Sequence, residues 1–510
     1  MDSSLFRALR ASFPAELDSP AVQTVDGQAL TYTWRDLERA TAMLANLLES
    51  LELPADARIA VQTEKSVEAM LLYLAVLRAG FVYLPLNTAY LAGEIEYFMG
   101  DAQPSVFVCS DKNFGWASKL AFKAGAKHVF TLNPNRTGSL LERAAVLSDS
   151  HVPARKQADD LAAIIYTSGT TGRSKGAMLS HGNLLSNALV LKQYWGWRSG
   201  DVLIHALPIF HVHGLFVAIH AALLNGSKML WFGKFDPKAV LAQFGRATVF
   251  MGVPTLYVRL LAEPGLVRDA CGAMRLFISG SAPLLAETFN NFRECTGHTI
   301  VERYGMSETL MLTSNPYHAH DGERRGGTVG FALPGVQVRI ASAVDQALPA
   351  GEIGNIEVKG PNVFSGYWRM PEKTRADFTE DGWFRTGDVG SLDASGRLAI
   401  VGRSKDLIIS GGFNVYPTEI EGYLNEVDGV LESAVVGAVH PDFGEAVIAI
   451  VVPRPGALLE SAGLIAALKA RIASYKVPKR VILVESLPRN AMGKVQKNVL
   501  REQHQDLFTR

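Results

Sequence analysis

The sequence has few cysteines, no excess of charge of either sign and no long uninterrupted apolar run. Its three cysteines, Cys109, Cys271 and Cys295, are odd in number and far apart among 510 residues. That spacing excludes a disulfide framework and a C-x-x-C metal motif, so we expect a reducing, cytoplasmic location, with a mitochondrial one less favoured. Lys plus Arg and Asp plus Glu both number 50, which argues against nucleic acid or anionic lipid as partners. No stretch approaches the roughly 18 apolar residues of a membrane span.

The length of the chain predicts two or three domains with a large buried interior. Strand-like apolar runs alternate with helical stretches, which predicts an α/β fold with largely parallel sheets. Strands are expected at residues 105–109, 202–207, 248–251 and 275–278, then near 433–439 and 446–452, with a helix near 461–474. The pattern changes at a charged turn near residue 400, where we place a hinge. We therefore predict a large N-terminal domain over residues 1–402 and a small, mobile α+β lid over residues 403–510.

The segment YTSGTTGRSKGAMLSHGNL, residues 166–184, has the composition of a phosphate-binding loop. It lies between a predicted buried strand at residues 161–166 and a predicted helix. Its glycines allow backbone N–H groups to approach an anion, its hydroxyls add donors, and Lys175 adds a cation. The spacing matches neither G-x-x-x-x-G-K-[ST] nor G-x-G-x-x-G. Composition alone leaves a solvated Gly/Ser turn as the alternative.

The order of residues in this loop resembles the nucleotide loop of the adenylate-forming superfamily. That superfamily includes acyl-CoA synthetases, firefly luciferase and peptide-synthetase adenylation domains. The resemblance implies that the loop binds ATP through Thr167, Ser168, Gly169, Thr170, Thr171, Gly172 and Lys175.

Two motifs further along the chain are similar to the superfamily's adenine, metal and acyl sites. For ERYGMSET, residues 302–309, the resemblance implies that Tyr304 stacks on adenine and Glu308 binds Mg²⁺, with Thr167 also at the metal. GSAPL, residues 280–284, resembles the loop along the adenine and the acyl group, although a plain strand-to-helix turn is its alternative. The ATP-binding residues that these motifs imply are Gly280, Ser281, Ala282, Glu302, Arg303, Tyr304, Gly305, Met306 and Ser307.

Two further segments match the superfamily's ribose site and hinge. GWFRTGDVG, residues 382–390, contains Asp388, whose carboxylate is implied to accept hydrogen bonds from both ribose hydroxyls. GRSKD then supplies Arg403, implied to reach the ribose and phosphates, and Lys405 at the implied hinge. A solvated linker is the alternative interpretation of this charged turn.

The last two motifs carry the catalytic lysine and the CoA loop of the resemblance. In PRNAMGKVQKNVL, residues 488–500, Lys494 matches the catalytic lysine that bridges the carboxylate, ribose and α-phosphate during adenylation. A surface position is the alternative for such a G-K pair. GGFNVYP, residues 411–417, resembles the loop that lines a tunnel for the pantetheine arm, where glycine permits close passage along the backbone. The implied CoA-binding residues are Gly411, Gly412 and Phe413.

Two histidines in PIFHVHG, residues 208–214, suggest a metal site at first sight. We interpret His211 and His213 as alternating on one strand face. No cysteine, aspartate or third histidine stands at ligand spacing, which argues against zinc. The resemblance implies instead that His211 is a catalytic residue in the acyl pocket beside the reacting carboxylate.

Over nearly the whole chain the sequence resembles the malonyl-CoA synthetase family, as in DVLIHALPIFHVHGLF, MGVPTLYVRLL and LPRNAMGKVQKNVLRE. That family joins malonate to CoA, which implies a short pocket with a cation for the second carboxylate. Arg259 is the matching arginine, and Arg303 is the second candidate. The implied malonate-pocket residues are Arg259, Ser281, His211, Val212 and Met306. Val212 stands where malonate enzymes can carry threonine, so the choice between malonate and methylmalonate stays open.

The resemblance therefore implies an AMP-forming acid–thiol ligase that uses ATP, Mg²⁺ and CoA. We expect malonyl-AMP to form first and malonyl-CoA second, with small molecules as the partners. The alternatives are a CoA ligase for methylmalonate or a monocarboxylate, an adenylation enzyme that loads a carrier-protein thiol, and a nucleotide-binding protein without turnover. The presence of Lys494 and Glu308 argues against the last of these.

Overall fold

The computed structural model describes residues 3–167, 174–411, 413–490 and 493–508. Its strands are β1 (Pro20–Thr24), β2 (Thr31–Thr33), β3 (Arg58–Gln62), β4 (Val82–Pro85), β5 (Val106–Cys109), β6 (His128–Thr131), β7 (Leu161–Thr167), β8 (Lys175–Ser180), β9 (Val202–His205), β10 (Lys228–Trp231), β11 (Val249–Gly252), β12 (Leu276–Ser279), β13 (Val301–Met306), β14 (Leu310–Ser314), β15 (Phe331–Ala332), β16 (Gln337–Ala341), β17 (Gly354–Lys359), β18 (Gly366–Tyr367), β19 (Phe384–Leu392), β20 (Leu398–Arg403), β21 (Ile408–Ser410), β22 (Phe413–Val415), β23 (Val430–His440), β24 (Gly444–Pro453) and β25 (Arg480–Leu483).

The α-helices alternate with these strands over most of the chain. They are α1 (Leu5–Ala11), α2 (Trp34–Glu49), α3 (Val67–Arg78), α4 (Ala92–Ala102), α5 (Asp111–Lys123), α6 (Ser139–Ala144), α7 (His181–Tyr194), α8 (Ile219–Leu224), α9 (Pro237–Leu241), α10 (Pro254–Leu261), α11 (Ala286–Thr296), α12 (Pro371–Asp377), α13 (Pro417–Asn425), α14 (Ser461–Lys469) and α15 (Lys497–His504). Within the described part of the chain, no helix combines the length and apolar character needed to cross a lipid bilayer.

The chain clusters into two compact units. The first contains Met1–Gly326, Gly330–Gln337 and Lys359–Phe378. The second contains Gly327–Val329, Val338–Val358 and Thr379–Arg510. The domain boundary between residues 402 and 403 stays a prediction.

The first unit contains two large sheets that are parallel at their centres. In one, β6, β5, β3, β4 and β7 run parallel, and β8 and β18 follow as antiparallel strands. In the other, the parallel strands are β1, β10, β9, β11, β12 and β13, with antiparallel β2 at one edge and β14 and β15 at the other. Every residue of β4, β5, β11 and β12 is buried, as expected for parallel strands covered on both faces. The predicted α/β fold with largely parallel sheets is confirmed.

The second unit is built mainly from antiparallel strands. One sheet has the order β16-β17-β19-β20, and another has β22-β21-β24-β23 with β25 pairing parallel to β24. Apolar residues of β23 and β24 face two separate core clusters, one packed by α13 and α14 and the other by α15. The strands predicted near 433–439 and 446–452 are confirmed as β23 and β24, and the predicted helix is α14.

Candidate active site

The predicted phosphate loop joins two antiparallel strands. β7 and β8 pair from Leu161 with Ser180 to Thr167 with Lys175. The predicted helix is present as α7, which begins at His181, but β8 lies between the loop and this helix and was not predicted. The half-buried Thr167 hydroxyl donates to the Lys175 carbonyl at 3.4 Å. Ser168, Gly169, Thr170, Thr171 and Gly172 lie outside the described residues, so their assignment to ATP stays a prediction.

The ERYGMSE motif forms the turn between β13 and β14. Gly305 is required there, because a Cβ at this position would lie 2.0 Å from the Leu310 carbonyl oxygen. Tyr304 is buried on β13, whereas Met306 at the end of β13 and Ser307 in the turn are partly exposed. Glu308 is buried, and its carboxylate accepts a hydrogen bond from the Tyr367 hydroxyl at 3.0 Å. The turn therefore presents a carboxylate whose orientation is fixed from outside the motif.

The loop after β12 packs against the side chains of β13. Gly280 lies against the Arg303 guanidinium, since a Cβ at residue 280 would come within 2.6 Å of it. Ser281 adopts a left-handed backbone conformation, with φ of 72°, which non-glycine residues seldom adopt and which is frequent at functional sites. The Leu284 N–H donates to the Glu302 carboxylate at 3.1 Å. Glu302, assigned to ATP from the sequence, thus holds this loop in place; Ala282 lies in it, partly exposed.

Replacing Glu302 with glutamine is expected to change how stability depends on pH. Burial raises the pKa of Glu302 from 4.5 to about 8, so the folded protein retains a proton that the unfolded chain has already lost. The stabilisation from this proton is complete below pH 4.5 and is lost as the pH rises through about 8. The melting temperature of Glu302→Gln should therefore rise relative to that of the parent between pH 5 and pH 9, by several degrees. A difference that stays constant over this range would contradict the buried, protonated carboxyl.

Arg303 is a buried cation beside the loop that contains Gly280 and Ser281. It is 2% exposed, and one of its Nη2 hydrogens is donated to the Ser281 hydroxyl at 3.3 Å. Its Nε has no hydrogen-bond partner and no carboxylate forms an ion pair with it among the residues that the structure describes. Burial lowers the pKa of Arg303 to about 9. A guanidinium in this setting is suited to an anion that brings its own hydrogen-bond acceptors.

The two histidines of PIFHVHG are not on a strand. β9 ends at His205, and residues 208–211 form a turn that leads into a π-helical turn over His213–Ala218. The interpretation that His211 and His213 alternate on one strand face is therefore wrong. The missing side chain of Gly214 permits this turn, because a Cβ there would lie 2.0 Å from the Pro208 carbonyl oxygen.

These histidines nevertheless lie beside the loop that carries Ser281. The ring of His213 is buried, and its Nδ1 lies 3.4 Å from the Ser281 hydroxyl. Burial, with a further contribution from Arg303, holds the pKa of His213 well below its usual range. The backbone N–H of His213 donates to Nδ1 of the partly exposed His211 at 3.3 Å. The backbone of His213 thus holds His211, while its neutral ring lies beside Ser281.

The other malonate-pocket candidates have different exposures. Val212 is 2% exposed, whereas Arg259 is exposed in the last turn of α10. Ser281 lies two residues after the end of β12, and Arg303 lies on β13 one residue beyond its pairing with β12. Because the carboxyl ends of parallel strands meet at one edge of a sheet, the topology places Ser281 and Arg303 at the same edge. Arg259 is in the helix that follows the neighbouring strand β11, and its assignment to the malonate pocket stays a prediction.

In the second unit, Asp388 and Arg403 form an ion pair. They are paired across β19 and β20, and the Arg403 Nε lies 3.0 Å from the Asp388 carboxylate. Asp388 is 5% exposed, and its N–H donates to the Thr386 hydroxyl. The two residues assigned to the ribose and phosphates thus lie side by side, but their roles stay predictions.

The predicted hinge and catalytic lysines also lie in the second unit. Lys405 is in a 3₁₀ turn over Ser404–Asp406, and partial desolvation lowers its pKa to about 8. Lys494 closes a turn with Asn490: its N–H donates to the Asn490 side chain, and its carbonyl accepts from the Asn490 N–H at 2.9 Å. The turn fixes the backbone of Lys494 immediately before α15.

The predicted CoA loop is the turn of a β21–β22 hairpin. Gly411 has a φ of 58°, and its N–H donates to the Phe443 carbonyl at 2.9 Å. Phe413 is 55% exposed and stacks on Tyr475, with 4.6 Å between the two ring centres. Gly412 lies outside the described residues, and the CoA assignment stays a prediction.

The surroundings of Glu308 fit a magnesium ion that arrives with phosphates. Mg²⁺ prefers oxygen ligands and is commonly held by one or two carboxylates together with substrate phosphates. Among the described residues, no group of three or more His, Cys, Asp or Glu side chains could hold a metal ion by itself. Glu308 is a buried carboxylate within electrostatic reach of Lys175. The assignment of Mg²⁺ to Glu308 and Thr167 stays a prediction that this donor set supports.

Three residues at this site were not found from the sequence: His213 as a partner of Ser281, and Tyr367 and Asp377 near Lys175 and Glu308. The Lys175 Nζ lies 3.8 Å from the Asp377 carboxylate and 4.3 Å from the centre of the Tyr367 ring. Tyr367 and Asp377 are about 200 residues from Lys175 in the chain, and no local pattern marks them. Sequence reasoning could have found His213 through its neighbour His211, which the resemblance assigned to the acyl pocket.

Comparisons with known proteins find similarity over most or all of the chain. The family model described as AMP-binding enzyme matches residues 11–368, and the one described as AMP-binding enzyme C-terminal domain matches residues 419–494. The crystal structure of ATP-bound MatB from Rhodopseudomonas palustris is 52% identical, covers 100% of both chains and superposes with a TM-score of 0.96. The malonate–CoA ligase of Arabidopsis thaliana is 36% identical over 88% of this chain and 78% of its own. The feruloyl-CoA synthase of an Amycolatopsis species is 34% identical over 93% of this chain and 94% of its own.

Proposed function

The chain belongs to the AMP-binding enzyme family, and on that premise we propose that it joins malonate to coenzyme A through malonyl-AMP. ATP and malonate give malonyl-AMP and pyrophosphate, and the CoA thiol then displaces AMP to give malonyl-CoA. The resemblance to a malonate–CoA ligase over most of the chain supports this choice. A feruloyl-CoA synthase is almost equally similar, so overall identity does not separate a small dicarboxylate from an aromatic acid.

The buried guanidinium of Arg303 is the observation that favours malonate over a monocarboxylic acid. An apolar or aromatic acyl group beside Ser281 would leave this charge buried without an anionic partner, which costs about 3–5 kcal/mol. A second carboxylate on the acid would pair with the Arg303 guanidinium, because a guanidinium can donate to both carboxylate oxygens. We propose that Arg303, which contacts Ser281, and Arg259, on the helix after β11, hold the distal carboxylate of malonate, with Ser281 as a further donor.

Other residues are proposed to supply the remaining requirements of adenylation. Lys175 and the predicted phosphate loop would bind the β- and γ-phosphates, and Glu308 would hold a magnesium ion, which supplies positive charge next to the pyrophosphate when it is bound. Asp388 and Arg403 bind the ribose. Lys494 provides a cation where negative charge develops at the α-phosphate and the attacking carboxylate. His211 contacts the reacting carboxylate, and the backbone N–H of His213 holds the His211 ring in place.

The second half-reaction is proposed to use the hairpin that contains Gly411 and Phe413. The hinge at Lys405 separates the predicted lid from the rest of the chain and allows the lid to exchange Lys494 for this hairpin between the two steps. The domain boundary between residues 402 and 403 belongs to this proposal. A cytoplasmic location is also proposed, supported by the unpaired and widely spaced cysteines.

A pyrophosphate-release panel tests the choice of acid. We expect kcat/KM for malonate to exceed the values for acetate, a medium-chain fatty acid and ferulate by roughly 10²-fold or more, because each of these leaves Arg303 unpaired. Methylmalonate and succinate test the size of the pocket at Val212. A preference for ferulate or the fatty acid would contradict the malonate assignment, and acyl transfer to a carrier protein but not to free CoA would contradict the ligase.

A further inference from the structure

One buried tyrosine lies between the two groups that the proposed function assigns to pyrophosphate and magnesium. Tyr367 is 3% exposed, and its hydroxyl donates to the Glu308 carboxylate at 3.0 Å. The face of its ring lies 4.3 Å from the Lys175 Nζ. The hydroxyl therefore orients an anion while the ring attracts a cation.

The backbone holds Tyr367 in this position from three sides. β18 pairs antiparallel with β8, so that Tyr367 lies opposite Ala177, two residues after Lys175. The Tyr367 N–H donates to the Thr374 hydroxyl at 2.9 Å. On the other side, the Phe364 N–H donates to the Glu308 carbonyl at 2.8 Å, which ties the same segment to the turn after β13. Two parts of the sequence 133 residues apart, at Lys175 and Glu308, are thus joined through one short segment.

We propose that Tyr367 is a positioning residue that couples the magnesium site to the pyrophosphate site. Its hydroxyl fixes the Glu308 carboxylate for the metal, and its ring, together with Asp377, holds the Lys175 ammonium ready for phosphate oxygens. This inference depends on the proposed function, because it presupposes that ATP binds with Mg²⁺ at these two residues. Tyr367 is not proposed to contact the reacting atoms or the metal itself. It acts through Glu308 and Lys175.

The test separates the hydroxyl from the ring by comparing Tyr367→Phe with Tyr367→Leu. ATP binding is measured by calorimetry in excess Mg²⁺ and in EDTA, which does not depend on turnover. Tyr367→Phe should weaken binding in Mg²⁺ by roughly tenfold, since partners that orient metal ligands commonly contribute 10- to 100-fold. Its binding in EDTA should be unchanged. Tyr367→Leu should also weaken binding in EDTA, by roughly 3- to 30-fold, because Lys175 loses the ring face.

Two controls distinguish positioning from general loss of stability. Tyr32→Phe removes a similar hydrogen bond from a phenol to a carboxylate, on Glu68 at 2.5 Å, and should not change ATP binding. In a Glu308→Gln background, Tyr367→Phe should have no further effect on the magnesium dependence, whereas a structural defect would add to that of Glu308→Gln. Equal weakening of ATP binding with and without Mg²⁺ in Tyr367→Phe, or no change in either, would overturn the inference. Failure of the parent protein to bind ATP at all would instead contradict the proposed function.

Discussion

Replacing Lys494 with alanine is expected to slow malonyl-AMP formation by roughly 10²- to 10³-fold, which corresponds to ~3–4 kcal/mol of transition-state stabilisation. Lys494 is held by its turn with Asn490, so its backbone is fixed before substrate binds. Alanine keeps this backbone and removes the cation that offsets charge at the α-phosphate. The measurement is the rate of malonate-dependent exchange between pyrophosphate and ATP.

The same variant should still make malonyl-CoA from supplied malonyl-AMP and CoA, because the lysine is proposed to act in the first step alone. Lys497→Ala is the matched control, since Lys497 lies one turn further along the chain and pairs with Glu421 at 2.6 Å. It should leave both half-reactions close to the parent rates. Equal losses in both half-reactions of Lys494→Ala would count against a lysine that serves adenylation alone.

Replacing Arg303 with methionine should lower kcat/KM for malonate by roughly 30- to several-thousand-fold, because losing one partner of a buried charge pair costs about 2–5 kcal/mol. Activity on butyrate should hold or rise, since the variant no longer buries an unpaired cation beside a monocarboxylate. Arg259→Leu should also lower malonate activity, by roughly tenfold or more. Its effect is expected to be smaller because its side chain is exposed and solvent screens its charge.

Arg268→Leu provides a control for removing an exposed arginine that follows the same helix. It should not change the preference between malonate and butyrate. If Arg259→Leu abolishes that preference and Arg303→Met does not, the distal carboxylate is held by Arg259, as the sequence resemblance first suggested. If malonate and butyrate activities fall together in both variants, the arginines are structural and the dicarboxylate selectivity comes from elsewhere.

The strands were the most predictable part of this fold. Buried parallel strands consist of short apolar runs, so β5, β9, β11 and β12 could be located from the sequence with ends shifted by one or two residues. β8 was missed, because KGAMLS has no strand-like alternation and depends on pairing with β7. The turn at residues 208–211 was also missed, because alternating histidines imitate a strand, and the local pattern does not show the close approach to the Pro208 carbonyl that Gly214 permits.

The site was predictable as a set of motifs, whereas the contacts among them were not. The order of the motifs identified Glu308, Asp388 and Lys494 by resemblance. It gave no information about the burial of their side chains. The buried state of Arg303 depends on the missing side chain of Gly280, which is 23 residues earlier in the chain. The contact between Tyr367 and Glu308 depends on pairing of β18 with β8, which no local pattern records.

The most direct test of the central claim is the fate of oxygen from labelled malonate. In a reaction with ATP, CoA and malonate carrying ¹⁸O in its carboxylates, attack of a carboxylate on the α-phosphorus leaves one malonate oxygen on AMP when the thiol displaces it. Mass spectrometry should therefore find one ¹⁸O atom in AMP for each malonyl-CoA formed. Malonyl-CoA formed with ADP and labelled phosphate, or with unlabelled AMP, would contradict a malonyl-AMP intermediate.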